Sequence, residues 1–205
     1  MNISDIIFYK SLGIPLKQIH TMEQSTPEEH EFLLNKKISE LEYKKQQIQN
    51  CIEKIHMRIN AINTLKELKL NSFKEVDIDT ECIVSFDLTE IEKLRKYIEN
   101  PYLYSRVQHS DNIETEIRGL TISNKHISDF PKSQIIWRKN NNKYISCLMK
   151  EEVTEGFPNN LSKLIDYVKT KYNINTGFII SRFLLCAMEN GKLYDFYKTF
   201  IEIIP

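Results

Sequence analysis

The chain has 205 residues and a mass of 24.3 kDa, enough for one large domain or two small ones with a real core. With 41% hydrophobic and 27% charged residues, and only five Gly and six Pro, it is neither disordered nor low-complexity. Its 28 basic residues equal its 28 acidic ones, so no net field draws it to nucleic acid or to an anionic membrane, which argues against a free-standing electrostatic DNA binder.

The longest apolar stretches, such as Phe178 to Ile180 and Phe183 to Met188, fall far short of the roughly 20 residues a spanning helix needs. The start, Met1-Asn2-Ile3-Ser4-Asp5, has no basic n-region and no apolar h-region, so no signal peptide is expected and the reading is cytoplasmic. Cys51, Cys82, Cys147 and Cys186 lie far apart without a C-x-x-C pair, which predicts reduced, mostly buried thiols and no zinc site or disulfide framework.

Three segments separate on periodicity. In the first, Ile6, Ile7, Phe8 and Leu12 predict a short apolar helix that stops at Gly13, and Pro15-Leu16-x-x-Ile19 starts a second. The second segment opens on Thr26-Pro27-Glu28-Glu29, an N-cap hydroxyl with Pro at the first helical position and Glu three residues after the cap. From there Leu34, Ile38, Leu41, Lys45, Ile48, Ile52, Ile55, Ile59 and Ile62 follow alternating spacings of four and three. That spacing is a coiled-coil seam, with Lys45 its only polar member. Without Gly or internal Pro from Pro27 to about Leu68, the helix would be roughly 60 Å long. The flanks, among them Lys36, Glu40, Lys44, Gln47 and Glu53, are polar, so the apolar stripe is narrow. It predicts a homodimer more readily than packing on the chain's own domain.

The third segment, residues 73–205, turns to runs rich in β-branched and aromatic residues: Thr80 to Leu88, Ile113 to Ser123, Ser133 to Arg138, Lys143 to Met149, Phe178 to Met188 and Phe196 to Ile204. Asn140-Asn141-Asn142 reads as a hairpin tip. Two helices interrupt the strands, Glu90 to Asn100 after a Thr89 cap and Leu161 to Lys171 after Asn159-Asn160. They carry an internal repeat, Lys93-Leu94-x-x-Tyr97-Ile98 and Lys163-Leu164-x-x-Tyr167-Val168, seventy positions apart, each at the same place among strands. Two β-β-α-β-β halves with a groove between them follow, and such junctions are common ligand sites.

No motif for nucleotide, metalloprotease or nucleophile chemistry occurs, and the five histidines are scattered, which predicts neither a metal nor a catalytic nucleophile. Glu114 and Glu116 share one face of a predicted strand, either as a paired acid site or as a solvated strand face. Aromatic residues crowd into the third segment, including Tyr102, Tyr104, Trp137, Tyr144, Phe157, Phe178, Phe183 and Tyr197. They suit either core packing or a cleft for a flat apolar molecule.

The run from Asp5 to Ile19, Asp-Ile-Ile-Phe-Tyr-Lys-Ser-Leu-Gly-Ile-Pro-Leu-Lys-Gln-Ile, resembles the segment that leads into the dimerising helix of MerR-type transcription regulators. The third segment is similar to the GyrI-like effector-binding domain of the multidrug-sensing members, through Asn124 to Ser128, Lys143-Tyr144, Leu161 to Tyr167 and the closing Tyr197 to Ile204. The resemblance implies an α+β fold with short N-terminal helices (1–24), a coiled-coil dimerisation helix (25–70) that pairs antiparallel, and a duplicated GyrI-like domain with a ligand cleft (73–205). The family's winged helix-turn-helix lies N-terminal to the part matched here, so DNA binding is expected only where that reader is supplied. The ligand positions implied are Ile91, Tyr104, Phe157, Ser181, Phe183 and Tyr197. Ser181 falls where the relatives carry a buried Glu for cationic drugs, and Arg182 follows it. A serine can donate a hydrogen bond but brings no charge, so the effector expected is lipophilic and not a simple cation. No cofactor, metal or enzymatic activity is expected. The alternatives are a ligand-sequestering or heterodimerising module without DNA binding, and a small-molecule hydrolase using Glu114 or Glu116.

Overall fold

The computed structural model describes residues 2–204, which fall into two compact units, one ending at Ile55 and one beginning at His56. Among the described residues no helix is long and apolar enough to cross a membrane.

In the first unit α1 (Ile3–Ser11) is closed at its start by a capping box. The Asn2 Oδ1 accepts from the Asp5 amide and the Asp5 carboxylate accepts from the Asn2 amide. It ends where Gly13 takes φ +72°, a left-handed conformation that glycine adopts without a Cβ penalty. Helix α2 (Leu16–Met22) follows Pro15 and buries Ile19 and Met22. Polar contacts tie both to the next helix. The Tyr9 hydroxyl lies 3.2 Å from His30 Nδ1, His30 Nε2 lies 2.7 Å from the Met22 carbonyl, and Lys37 Nζ donates to the Gly13 carbonyl. A carbonyl only accepts, so His30 donates from Nε2 to Met22.

Helix α3 (Pro27–Leu70) is one continuous helix of 44 residues. Its start is the reciprocal cap expected from the sequence: Thr26 Oγ1 accepts from the Glu29 amide at 3.3 Å and the Glu29 carboxylate accepts from the Thr26 amide at 2.8 Å. Thr26→Ala is expected to cost about 1 kcal/mol and to speed amide exchange in the first turn of α3 while leaving its last turns unchanged; an unaltered first turn would contradict the cap. Along the seam Ile38, Leu41, Ile48, Ile52, Ile55, Ile59 and Ile62 are exposed in the single chain, and Leu34 is half-buried. Past His56 another face of the helix, Ala61, Leu65 and Leu68, is buried against Leu184, Leu185 and Phe196 of the sheet.

The second unit is an eight-stranded antiparallel sheet with two further helices. In chain order it reads β1 (Lys74–Val76), β2 (Cys82–Ser85), α4 (Ile91–Glu99), β3 (Tyr104–His109), β4 (Asn112–Ile122), β5 (Ile135–Arg138), β6 (Tyr144–Glu152), α5 (Leu161–Tyr172), β7 (Asn175–Glu189) and β8 (Lys192–Ile204). The spatial order is β1-β6-β8-β7-β3-β4-β2-β5, so β3 and β7 occupy the centre. Strands β7 and β8 are joined by Asn190-Gly191, both at positive φ, the two-residue turn whose twist matches a right-handed hairpin. Inward positions of α5 (Leu161, Leu164, Ile165, Val168) pack on Ile145, Cys147, Met149 and Ile179. Leu94 and Tyr97 of α4 pack beside Val84, Phe86 and Leu120.

Three details depart from the sequence expectations. The Asn140–Asn142 stretch is no hairpin tip: β5 pairs with β2 while β6 pairs with β1 and β8. Instead the Asn140 and Asn142 side chains donate to the buried Glu202 carboxylate, which makes this connection a polar clasp. Thr89 does not cap α4; Asp87 accepts from the Thr89 amide and hydroxyl, and the helix begins after Glu90. Strands β1 and β3 had no counterpart among the expected runs. The four cysteines are free, with Cys82 and Cys147 buried, Cys186 half-buried and Cys51 exposed.

Candidate functional site

The central strand β3 sets the site. Arg106 stands opposite Ser181 of β7 and Arg118 of β4. Its guanidinium meets Glu151 of β6 in a bidentate pair, Nη1 to Oε2 at 2.7 Å and Nη2 to Oε1 at 2.8 Å. Nη1 also reaches Glu116 at 3.1 Å, and Nη2 donates to the Tyr197 hydroxyl of β8. Strands β3 and β6 are three strand spacings apart, about 14 Å on a flat sheet, and the two long side chains reach across β7 and β8 to meet.

The cluster is nearly dry: the Arg106 side chain is 11% and the Glu151 side chain 5% exposed. Burial alone would pull the Arg106 pKa down. The Glu151 hydrogen bond, and then the charges of Tyr197, Glu116 and Glu151, outweigh it and hold the guanidinium above its ordinary value. Burial pushes the Tyr197 hydroxyl above the usual phenol range, with Arg106 opposing, so at neutral pH it stays protonated. Arg106 Nε is buried without a hydrogen-bond partner.

Over this cluster lies a cavity of about 460 Å³, lined by Phe86, Asp87 and Leu88 from the segment between β2 and α4, Tyr97 from α4, Tyr104 and Arg106 from β3, Arg118 from β4, Phe183 from β7, and Asp195 and Tyr197 from β8. That is the size of a small-molecule site. Phe183 and Tyr197 meet edge to face with centroids 5.7 Å apart, and Tyr97 and Tyr104 are tilted at 5.8 Å. Two arginines and two aspartates balance among the lining charges.

Tyr104, Phe183 and Tyr197 thus line one cavity, as the sequence expectation grouped them. Ser181 is fully buried beneath, with its hydroxyl on Thr199 Oγ1 at 2.9 Å and 3.9 Å from Met149 Sδ. Ile91 sits exposed at the start of α4, and Phe157 is exposed in a left-handed turn at φ 41°; neither lines the cavity. Glu116 faces Arg106 and Arg118, while Glu114 is exposed. Sequence reasoning missed Arg106 and Glu151. The one signal for them was the run Tyr104-Ser-Arg-Val-Gln-His, whose residues alternate as a strand does but whose polar members hid the period.

Among the described residues no group of three or more His, Cys, Asp and Glu side chains is placed to hold a metal ion. No protein-family model and no curated protein matches this chain.

Proposed function

We propose that the chain is the ligand-sensing and dimerising part of a MerR-type transcription regulator, which binds a small lipophilic effector in the cavity over Arg106 and pairs with a second copy through the α3 seam. The observation that carries the ligand half is that cavity, whose aromatic walls come from both sides of the β3–β7 centre of the sheet. Aromatic faces hold a flat molecule by area burial and stacking. The four lining charges, Arg106, Arg118, Asp87 and Asp195, sum to zero and Ser181 brings no carboxylate, so the reading takes an effector that is neutral, or an anion that reaches the rim at Arg118.

The strand order supports a duplicated GyrI-like domain. Exchanging β1 with β5, β2 with β6, β3 with β7 and β4 with β8 turns the order β1-β6-β8-β7-β3-β4-β2-β5 into its own reverse. The repeated helix motif supports it in part: Leu94 and Leu164 both face the core, whereas Ile98 is exposed where Val168 is buried. The dimer reading rests on the exposed isoleucines of α3, a stripe too apolar to be left in water. DNA contact belongs, by the resemblance, to a winged helix-turn-helix beside α1 and α2. The reading is non-catalytic: Glu116 is tied to two arginines and Glu114 faces solvent.

A thermal-shift screen against lipophilic cations, neutral aromatics and organic anions tests the ligand half, because a compound that binds only the folded state raises its melting point. Stabilisation by neutral or anionic aromatics is expected. Stabilisation by cations alone would overturn the specificity, and no shift with any class would overturn the sensing role.

A further inference from the structure

A second cavity, of about 310 Å³, lies on the other side of the sheet, between the sheet and the part of α3 that packs on it. From α3 it takes Met57, Asn60, Ala61 and Thr64, at i, i+3, i+4 and i+7 of one helix face. Leu184 and Phe183 of β7 and Tyr102 add apolar wall. At one end stand three charges, Asp79, Arg182 and Lys198. Arg182 Nη1 donates to Asp79 Oδ1, and Lys198 Nζ lies 3.6 Å from Asp79 Oδ2, so one carboxylate is shared by two cations. Both cations are about three-quarters buried, at 26% and 27% side-chain exposure, whereas Asp79 is 55% exposed.

We propose that this cavity is a second binding site, distinct from the one over Arg106, for a small organic carboxylate with an aromatic or branched apolar body. The charge count decides the class. The mouth carries one positive charge in excess where water is partly excluded, and an arginine fork beside an ammonium is the donor set that a carboxylate satisfies. The apolar floor of Ala61, Leu184 and Phe183 accepts the body of the ligand. A cation would meet two like charges, and a neutral amide would leave the excess charge uncompensated.

The test uses 1-naphthoate as probe, with 1-naphthamide and naphthylmethylammonium as controls, and full-length protein labelled at its methionine methyls. Met57 lines this cavity, and Met149 touches the Ser181 hydroxyl beneath the other one, so the two methyls separate the sites even though Phe183 borders both. Naphthoate is expected to move the Met57 resonance, with saturation below about 10 mM, and the ammonium is expected to leave it in place. Lys198→Gln should weaken naphthoate at least about tenfold, the loss of one charge-assisted contact, and leave naphthamide unchanged. Ala61→Phe, which fills the floor, should abolish the Met57 response, and an unchanged spectrum elsewhere reports that the variant is folded. Equal binding of naphthoate and naphthamide, a response confined to Met149, or naphthoate affinity unchanged in Lys198→Gln would each overturn the proposal.

Discussion

Glu151→Ala is expected to destabilise the second unit by about 3 kcal/mol, the lower end of what breaking a buried ion pair costs. The variant leaves the Arg106 guanidinium buried with Glu116 as its remaining acid, at 3.1 Å and on a residue whose side chain is 25% exposed. On a domain of this size that corresponds to a fall in melting temperature of about 10 °C. The double replacement Arg106→Met with Glu151→Leu should recover most of the loss, because an apolar pair of similar volume has no charge to desolvate. A single variant within about 1 kcal/mol of the parent would mean that the pair behaves as a surface contact and that the cavity floor is wet.

Ile52→Asp is expected to convert a dimer into a monomer. In the paired state the carboxylate would lie at the middle of the seam without a partner, at a cost of several kcal/mol. In the single chain Ile52 is 41% exposed, so the same change leaves the chain's own packing intact. Light scattering should therefore report the mass of one chain while circular dichroism keeps the helix and sheet signals. An unchanged molar mass for parent and variant would remove the seam from the account.

How much of this was legible beforehand follows from the physics of each signal. The helices near the N-terminus and α3 were readable because their information is local: Gly13 needs no distant partner to stop a helix, and Thr26 with Glu29 caps one by itself. The long strands β7 and β8 were readable as apolar runs, though the Asn190-Gly191 turn that joins them passed unnoticed. Strand β3 was not readable. Its centre holds Ser105, Arg106 and Gln108, all largely withdrawn from water, and a polar strand of this kind erases the alternation that marks a half-buried one. The same property makes β3 the core of the site, so the strand hardest to see was the one carrying the buried arginine.

Pairing was hidden for a different reason. Ile135 to Arg138 and Tyr144 to Glu152 are close in sequence and flank an Asn-rich stretch, which is the local grammar of a hairpin. Their partners are chosen by distant strands, β2 and β8, and the asparagines are spent on Glu202. The cavity residues show the same division. Tyr104, Phe183 and Tyr197 share one wall because of register, whereas Ile91 and Phe157 are turned outward by the phase of α4 and by a left-handed turn.

The measurement that bears most directly on the sensing role is a calorimetric titration of the best neutral aromatic stabiliser into the parent chain and into Tyr104→Leu, at a residue that borders this cavity and not the second one. Leucine keeps the apolar wall of β3 and removes the ring face, so affinity is expected to fall about fivefold or more, the worth of one aromatic contact, with stoichiometry of one per chain and unchanged molar mass. Affinity that is the same in both proteins would place the ligand elsewhere and contradict the assignment of the cavity over Arg106 as the effector site.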